Sequence, residues 1–165
     1  MEEIKHDAVW HDFFYTELTT GLRRGEICGL MWSDFDERKG TLTVRRTVHQ
    51  RKGGGLTTGE TKTGKGRRTI TLPPSTVRLL KERKKQSYSN WIFSNPIRPE
   101  MPVSPGSAYN HMKTLLKNAG LPSIRFHDGC IKIGLNQKHP HSKGRTDLVL
   151  FLFYKHKGGK NEEYS

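Results

Sequence analysis

The stretch "TTGLRRGEICGLMW", Thr19 to Trp32, sets two arginines side by side between two glycines, with a glutamate three residues after the first. Ile27, Leu30 and Met31 follow at helical spacing, so the segment reads as a tight turn entering a buried helix. A charge at such an entrance needs a use. An arginine held at a constrained turn offers a planar fork to a phosphate, and the helix start behind it adds the positive end of a dipole. Glu26 stands close enough to hold the turn through hydrogen bonds near the helix N-terminus. The plainer reading, an Arg23–Glu26 surface pair, would contribute little.

Working outward, Val9, Trp10, Phe13, Phe14 and Leu18 recur at three- and four-residue steps and predict an amphipathic helix over 7–20, broken by Gly21. A second helix is predicted from about Arg24 to Met31, followed by a turn in "WSDFDERKG". "TLTVRRTVH", Thr41 to His49, alternates like a half-buried strand. A glycine-rich, basic excursion then returns through a second strand at about Arg67 to Leu72, and the two strands predict an antiparallel hairpin with an exposed tip. A basic helix is predicted over Ser75–Gln86. Another is capped by Ser104, opens on Pro105, carries a stripe of Ala108, Met112, Leu115 and Ala119, and stops at Gly120 before Pro122. From Gly129 onward no period of either kind persists, and the apolar clump "LVLFLFY", Leu148 to Tyr154, has no patterned neighbours.

The chain has 165 residues, enough for one domain with a modest core, since only 32% are hydrophobic and the mean hydropathy is -0.76. Lysine and arginine number 29 against 16 acids, a net charge of +13 and a pI near 10.0. That balance favours a partner with regularly spaced negative charge, nucleic acid before anionic membrane, with an inert basic surface as the bland alternative. Two cysteines, Cys28 and Cys130, make no disulfide framework and point to a reducing compartment. No signal peptide is legible and the longest apolar run is far too short to span a bilayer, so the expectation is a soluble, cytoplasmic chain without a membrane partner. Between Arg45 and Arg68 lie eight basic residues against Glu60 alone, which makes the expected hairpin a candidate phosphate-contacting arm. Any single charge there is better read as solvated; the cluster favours DNA.

"TGLRRGEICGLMWSDFD", then "ETKTGKGRRTITLP", then "IRFHD", in that order, resemble the catalytic domain of the tyrosine recombinase (phage integrase) family over roughly residues 7–128. The resemblance implies a mainly helical α+β fold with a small antiparallel β-sheet at one edge, and a reaction without metal or cofactor. In it a tyrosine hydroxyl attacks a DNA phosphodiester, leaving a 3′-phosphotyrosyl link and a free 5′-hydroxyl. Cationic side chains must then neutralise the charge that develops on the phosphorane oxygens. On this resemblance Arg23 matches the first catalytic arginine and Glu26 the acid that supports it. Lys62 matches the lysine that protonates the leaving oxygen, with Lys65 a neighbouring alternative, and His127 matches the box II histidine. Arg24, Lys65, Arg67 and Arg68 are the expected DNA-binding cations. Double-stranded DNA and intact recombinase subunits are the expected partners, with no small-molecule substrate.

After "RFHD" the sequence leaves the family pattern. The second catalytic arginine should fall three residues after His127, where Cys130 stands, and the later box with its tyrosine is missing. Tyr154 is a weak candidate nucleophile, too soon after His127, and Tyr164 in the charged terminus is poorer still. Read one base late from Gly129, the genetic code permits "AASKLAL", "KNIPIQKVA" and "IL", which look like the family between its boxes. The expected division is therefore 1–128, a partial catalytic domain, and 129–165, an aberrant tail that reads as frameshifted, in a chain truncated at both ends. Sequencing the gene around the Asp128 codon decides this, because a downstream frame without such codons removes the idea. Three functional readings follow: a catalytically incomplete integrase remnant that binds DNA, a non-catalytic protein that occupies DNA or titrates an intact recombinase, and a pseudogene product without function.

Overall fold

Aromatic residues at helical steps build the first element. In the computed structural model, which describes residues 2–60 and 67–118, helix α1 runs Glu2–Thr20 and turns Trp10, Phe13 and Phe14 inward. Phe13 is fully buried, edge-on to Phe93 with ring centroids 5.1 Å apart and to Phe14 at 5.3 Å. Leu18, expected on the buried stripe, is only half-buried, while Thr16 and Glu17 lie inside. The helix ends where Gly21 donates its N–H to Glu17 O at 2.8 Å.

Helix α2 is shorter than its periodicity predicts, Arg24–Cys28 rather than to Met31. Gly29 caps it, and Leu30–Met31 run extended beside the segment at 91–92, with Ile92 N–H donating to Leu30 O at 2.9 Å. A 3-10 turn, Trp32–Asp34, leads into β1, Phe35–Asp36. Strands β2, Thr41–Val44, and β5, Arg68–Thr71, pair antiparallel as expected, with Leu42 opposite Ile70, and β1 adds a third strand on the other side of β2.

The single long strand over 41–49 is not found. It breaks at Arg45, and β3, Arg46–Gln50, leaves the sheet to pair with β4, Leu56–Glu60, a strand inside the excursion read as a loop. The cause is a buried carboxylate. Neighbouring strand residues point to opposite faces, yet Arg45 and Arg46 both reach Asp34, so the backbone must bend between them. The β3–β4 hairpin closes through Gly53, Gly54 and Gly55, with φ of 93°, 105° and 80°, a left-handed run that side-chain-bearing residues rarely adopt.

Helix α3, Pro74–Lys85, and helix α4, Pro105–Asn118, fall where predicted, α4 with Ser104 accepting the Ser107 N–H at 2.9 Å. Ala108 and Leu116 are buried, Met112 and Leu115 pack at the edge of the core, and Ala119 lies outside the described residues. The core gathers Leu22, Ile27, Leu30, Leu42, Val44 and Leu80 between the helices and the sheet. The result is the expected α+β arrangement of helices with a small antiparallel sheet. Among the described residues no helix is long and apolar enough to cross a membrane.

Candidate nucleic-acid interface

Arg23 is the residue at which the backbone stops being extended and α2 begins. Its φ and ψ are -67° and 147°, and its carbonyl already accepts the N–H groups of Glu26 and Ile27 at 2.8 and 3.0 Å. Glu26 completes the cap from its side chain, Oε2 accepting the Arg23 N–H at 2.9 Å. The first turn packs against β3 so tightly that a Cβ on Gly25 would lie 2.7 Å from Val48 O and 2.6 Å from Thr47 Cγ2. Backbone, cap and close packing thus fix the turn from which the Arg23 side chain departs, while that side chain stays 75% exposed.

The Glu26 carboxylate is 5% exposed and carries a second, stronger partner. Arg68, at the start of β5, donates Nη1 to Oε1 at 2.9 Å and Nη2 to Oε2 at 2.8 Å, a two-pronged pair. The Arg23 guanidinium stands farther off, Nη1 3.6 Å from Oε1. Burial alone would push the Glu26 carboxyl up. The hydrogen bonds from Arg68 and the Arg23 backbone, with the charges of both arginines, outweigh it and hold the group below its ordinary value. The same bonds to Glu26 raise Arg68, so both partners stay ionised.

Arg23 and Arg24 line one wall of a cleft of about 690 Å³ whose other walls come from β3, with His49 and Gln50, and from the start of α4, with Tyr109 and Asn110. The Arg24 guanidinium lies 5.4 Å from the centre of the Tyr109 ring, and the Lys113 ammonium 5.5 Å from it. Cys28, one turn inward, is fully buried and its thiol is pushed far up by burial, so it takes no part as a nucleophile.

Of the residues singled out from sequence, Arg23, Arg24, Glu26 and Arg68 come together around the start of α2. Arg67 is exposed just before β5. Lys62, Lys65, His127, Cys130, Tyr154 and Tyr164 lie outside the described residues. Sequence reasoning missed Asp34, whose side chain is 1% exposed. Asp34 accepts the Met31 N–H at 2.9 Å, pairs with Arg46, and holds Arg45 Nε at 3.3 Å. Its signal was available: Met31 to Asp34 repeats the three-residue step of Arg23 to Glu26, each acid capping the turn it follows. Among the described residues no group of three or more His, Cys, Asp or Glu side chains is placed to hold a metal ion.

The sequence profile of the phage integrase family matches residues 3–129. The chain belongs to the phage integrase family, the tyrosine recombinases. It is 31% identical over 137 residues to a tyrosine recombinase XerC-like protein of Caldanaerobacter subterraneus subsp. tengcongensis, covering 69% of this chain and 34% of that protein. It is 34% identical over 91 residues to an integrase of Saccharopolyspora erythraea, covering 48% of this chain and 20% of that one. The chain therefore spans about a third or less of the curated relatives it matches. The fold is similar to that of the Tn1549 transposon integrase, solved in complex with transposon right end DNA, with a TM-score of 0.60 at 24% identity over 66% of this chain and 37% of that one. It is also similar to the XerA recombinase, with a TM-score of 0.51 at 16% identity over 76% and 44%. Those identities establish the fold alone. The family assignment drawn from "TGLRRGE", "ETKTGKGRR" and "RFHD" thus holds.

Proposed function

We propose that this integrase-family chain binds duplex DNA through the Arg23 cleft and the basic strands beside it, and that it does not cleave DNA by itself. The observation that carries the reading is Arg23: a largely exposed guanidinium on a backbone turn fixed by a buried cap. Such a group leaves the backbone at a fixed point on the cleft wall and offers its fork of donors to a phosphate oxygen. Arg24, Lys65 and Arg67 are proposed to contact neighbouring phosphates, and Arg23, Lys62 and His127 to be the surviving part of the electrostatic cage. Residues 1–128 carry the family pattern and 129–165 depart from it. Duplex DNA and intact recombinase subunits are the partners this reading implies, in the cytoplasm.

Cys130 is the reason for proposing binding without cleavage. It stands where the pattern has a second arginine, and a thiol is neutral or at most anionic and has no fork of donors. Loss of one preorganised donor costs about a hundred- to a thousandfold in rate. The tyrosine that would form the covalent link has only the weak candidates Tyr154 and Tyr164 after His127, neither preceded by the expected box, and without a nucleophile the covalent pathway is closed.

Two measurements test this. Fluorescence anisotropy on a labelled duplex should show binding that weakens steeply as salt rises, and Arg23→Ala should weaken it about tenfold. No salt dependence, or no effect of Arg23→Ala, would remove the phosphate reading. A nicked suicide substrate run on a denaturing gel should give no covalent band. A band that vanishes in Tyr154→Phe would overturn the second half of the proposal and make that residue the nucleophile.

A further inference from the structure

We infer that Arg68 is a positioning residue which, by holding both oxygens of Glu26 in a two-pronged pair, keeps the Arg23 guanidinium available to a phosphate. The inference rests on the reading of Arg23 as a phosphate contact. Glu26 is a buried carboxylate beside two arginines, and an unpaired carboxylate there would draw whichever guanidinium could reach it. Arg68 occupies the two oxygens with its two terminal nitrogens at 2.9 and 2.8 Å. The Arg23 guanidinium is left at 3.6 Å, too far for a hydrogen bond, although its backbone N–H is held by the same carboxylate at 2.9 Å. The arrangement separates backbone from side chain: Glu26 fixes the turn but does not capture the charge that the turn presents. Remove Arg68 and the carboxylate can accept the Arg23 fork instead, folding it back onto the protein and away from the cleft.

This assigns Arg68 a different part from a cation that meets DNA directly. As a phosphate contact, Arg68 should tolerate lysine, since an ammonium neutralises a phosphate nearly as well, and its loss should lower the salt slope by about one phosphate's share. As the two-pronged partner of Glu26 it should not, because an ammonium is a point charge that cannot span two carboxylate oxygens.

The experiment is a mutant cycle on the full chain, read by duplex-DNA anisotropy and by the exchange of the Arg23 Nε–H with water in ¹⁵N NMR spectra. Arg68→Ala and Arg68→Lys should each weaken DNA binding, by about tenfold and a few-fold, and slow the Arg23 Nε–H exchange as that group becomes paired. Glu26→Gln should restore affinity in the Arg68→Ala background yet bring no gain when Arg68 is present. A gain of equal size in both backgrounds would be simple removal of a negative charge and would overturn the inference. So would an Arg23 Nε–H that exchanges as in the parent chain when Arg68 is replaced. Should Arg68→Ala fail to melt cooperatively, Arg68→Lys, which keeps the charge, carries the test. The two readings fail separately. Affinity indifferent to Arg23→Ala would sink the phosphate contact, while the NMR exchange would still report whether Arg68 controls the Arg23 side chain.

Discussion

Gly25→Ala gives the sharpest check on how the Arg23 turn is held. Alanine is ordinarily the better helix residue, worth up to about 1 kcal/mol over glycine. Here the added Cβ would lie 2.7 Å from Val48 O and 2.6 Å from Thr47 Cγ2. The threonine methyl can rotate aside; the Val48 carbonyl belongs to β3 and cannot. Helix α2 must then back away from the strand by about half an ångström, and overpacking of this kind costs about 1–3 kcal/mol. The clash should outweigh the helix preference, leaving a net loss of about 1–2 kcal/mol and a melting temperature about 2–8 °C lower. Gly59→Ala is the matched control, because its Cβ would meet nothing nearer than 3.7 Å. The assay is thermal unfolding by circular dichroism on the parent and both variants. A Gly25→Ala protein that melts within a degree of the parent, or above it, would refute the close packing of α2 on β3. The turn carrying Arg23 would then not be fixed by its contact with β3.

Phe13→Ala, which empties the centre of an aromatic cluster, should cost about 3–5 kcal/mol and is read from the urea midpoint. Asp34→Ala strands Arg46, whose side chain is 19% exposed, beside a broken cap, and should cost about 3 kcal/mol or more by the same measurement. The Glu26 contribution should depend on pH. Its folded value is held below the ordinary 4.5, so the stability it supplies is complete above that value and is lost as pH falls through the folded one. The melting-temperature gap between the parent chain and Glu26→Gln should therefore close under acid, and a gap that persists unchanged at about pH 2 would contradict this.

The features that were legible in the sequence are those set by neighbours along the chain. The aromatic spacing of α1, the Ser104–Pro105 opening of α4 and the Arg23–Glu26 step each depend on residues within one or two turns, and each stands in the structure. The errors lie where a distant group decides. The strand over 41–49 alternates well enough to read as continuous, but its break is imposed by Asp34, eleven residues before Arg45. Strand β4 was hidden because "LTTGE" ends in glycine and glutamate and sits among basic and glycine residues, a composition that reads as loop. Its pairing with β3 depends on a turn that three glycines permit. The pairing of Arg68 with Glu26, forty-two residues earlier, leaves no local mark beside its expected place among the DNA-binding cations.

The net +13 and the eight basic residues from Arg45 to Arg68 suggest a dense electrostatic surface. Yet two buried acids, Asp34 and Glu26, engage Arg45, Arg46 and Arg68. Arg46 and Arg68 are held by hydrogen bonds, and Arg45, though 43% exposed, is drawn to Asp34 through its Nε at 3.3 Å, so on binding DNA the three would release fewer counterions than their number implies. Exposed Arg51, Lys52 and Arg67 stand differently, at a hairpin tip and a strand entrance. The salt dependence of DNA binding should accordingly follow the second group. Replacing Arg51 and Lys52 with glutamine should flatten the slope of log affinity against log salt by about 1–2, whereas Arg45→Gln should leave it nearly unchanged. If Arg45→Gln flattens the slope as much as the pair at the hairpin tip, Asp34 does not withhold its arginines from DNA, and the sorting of cations by the two buried carboxylates is wrong.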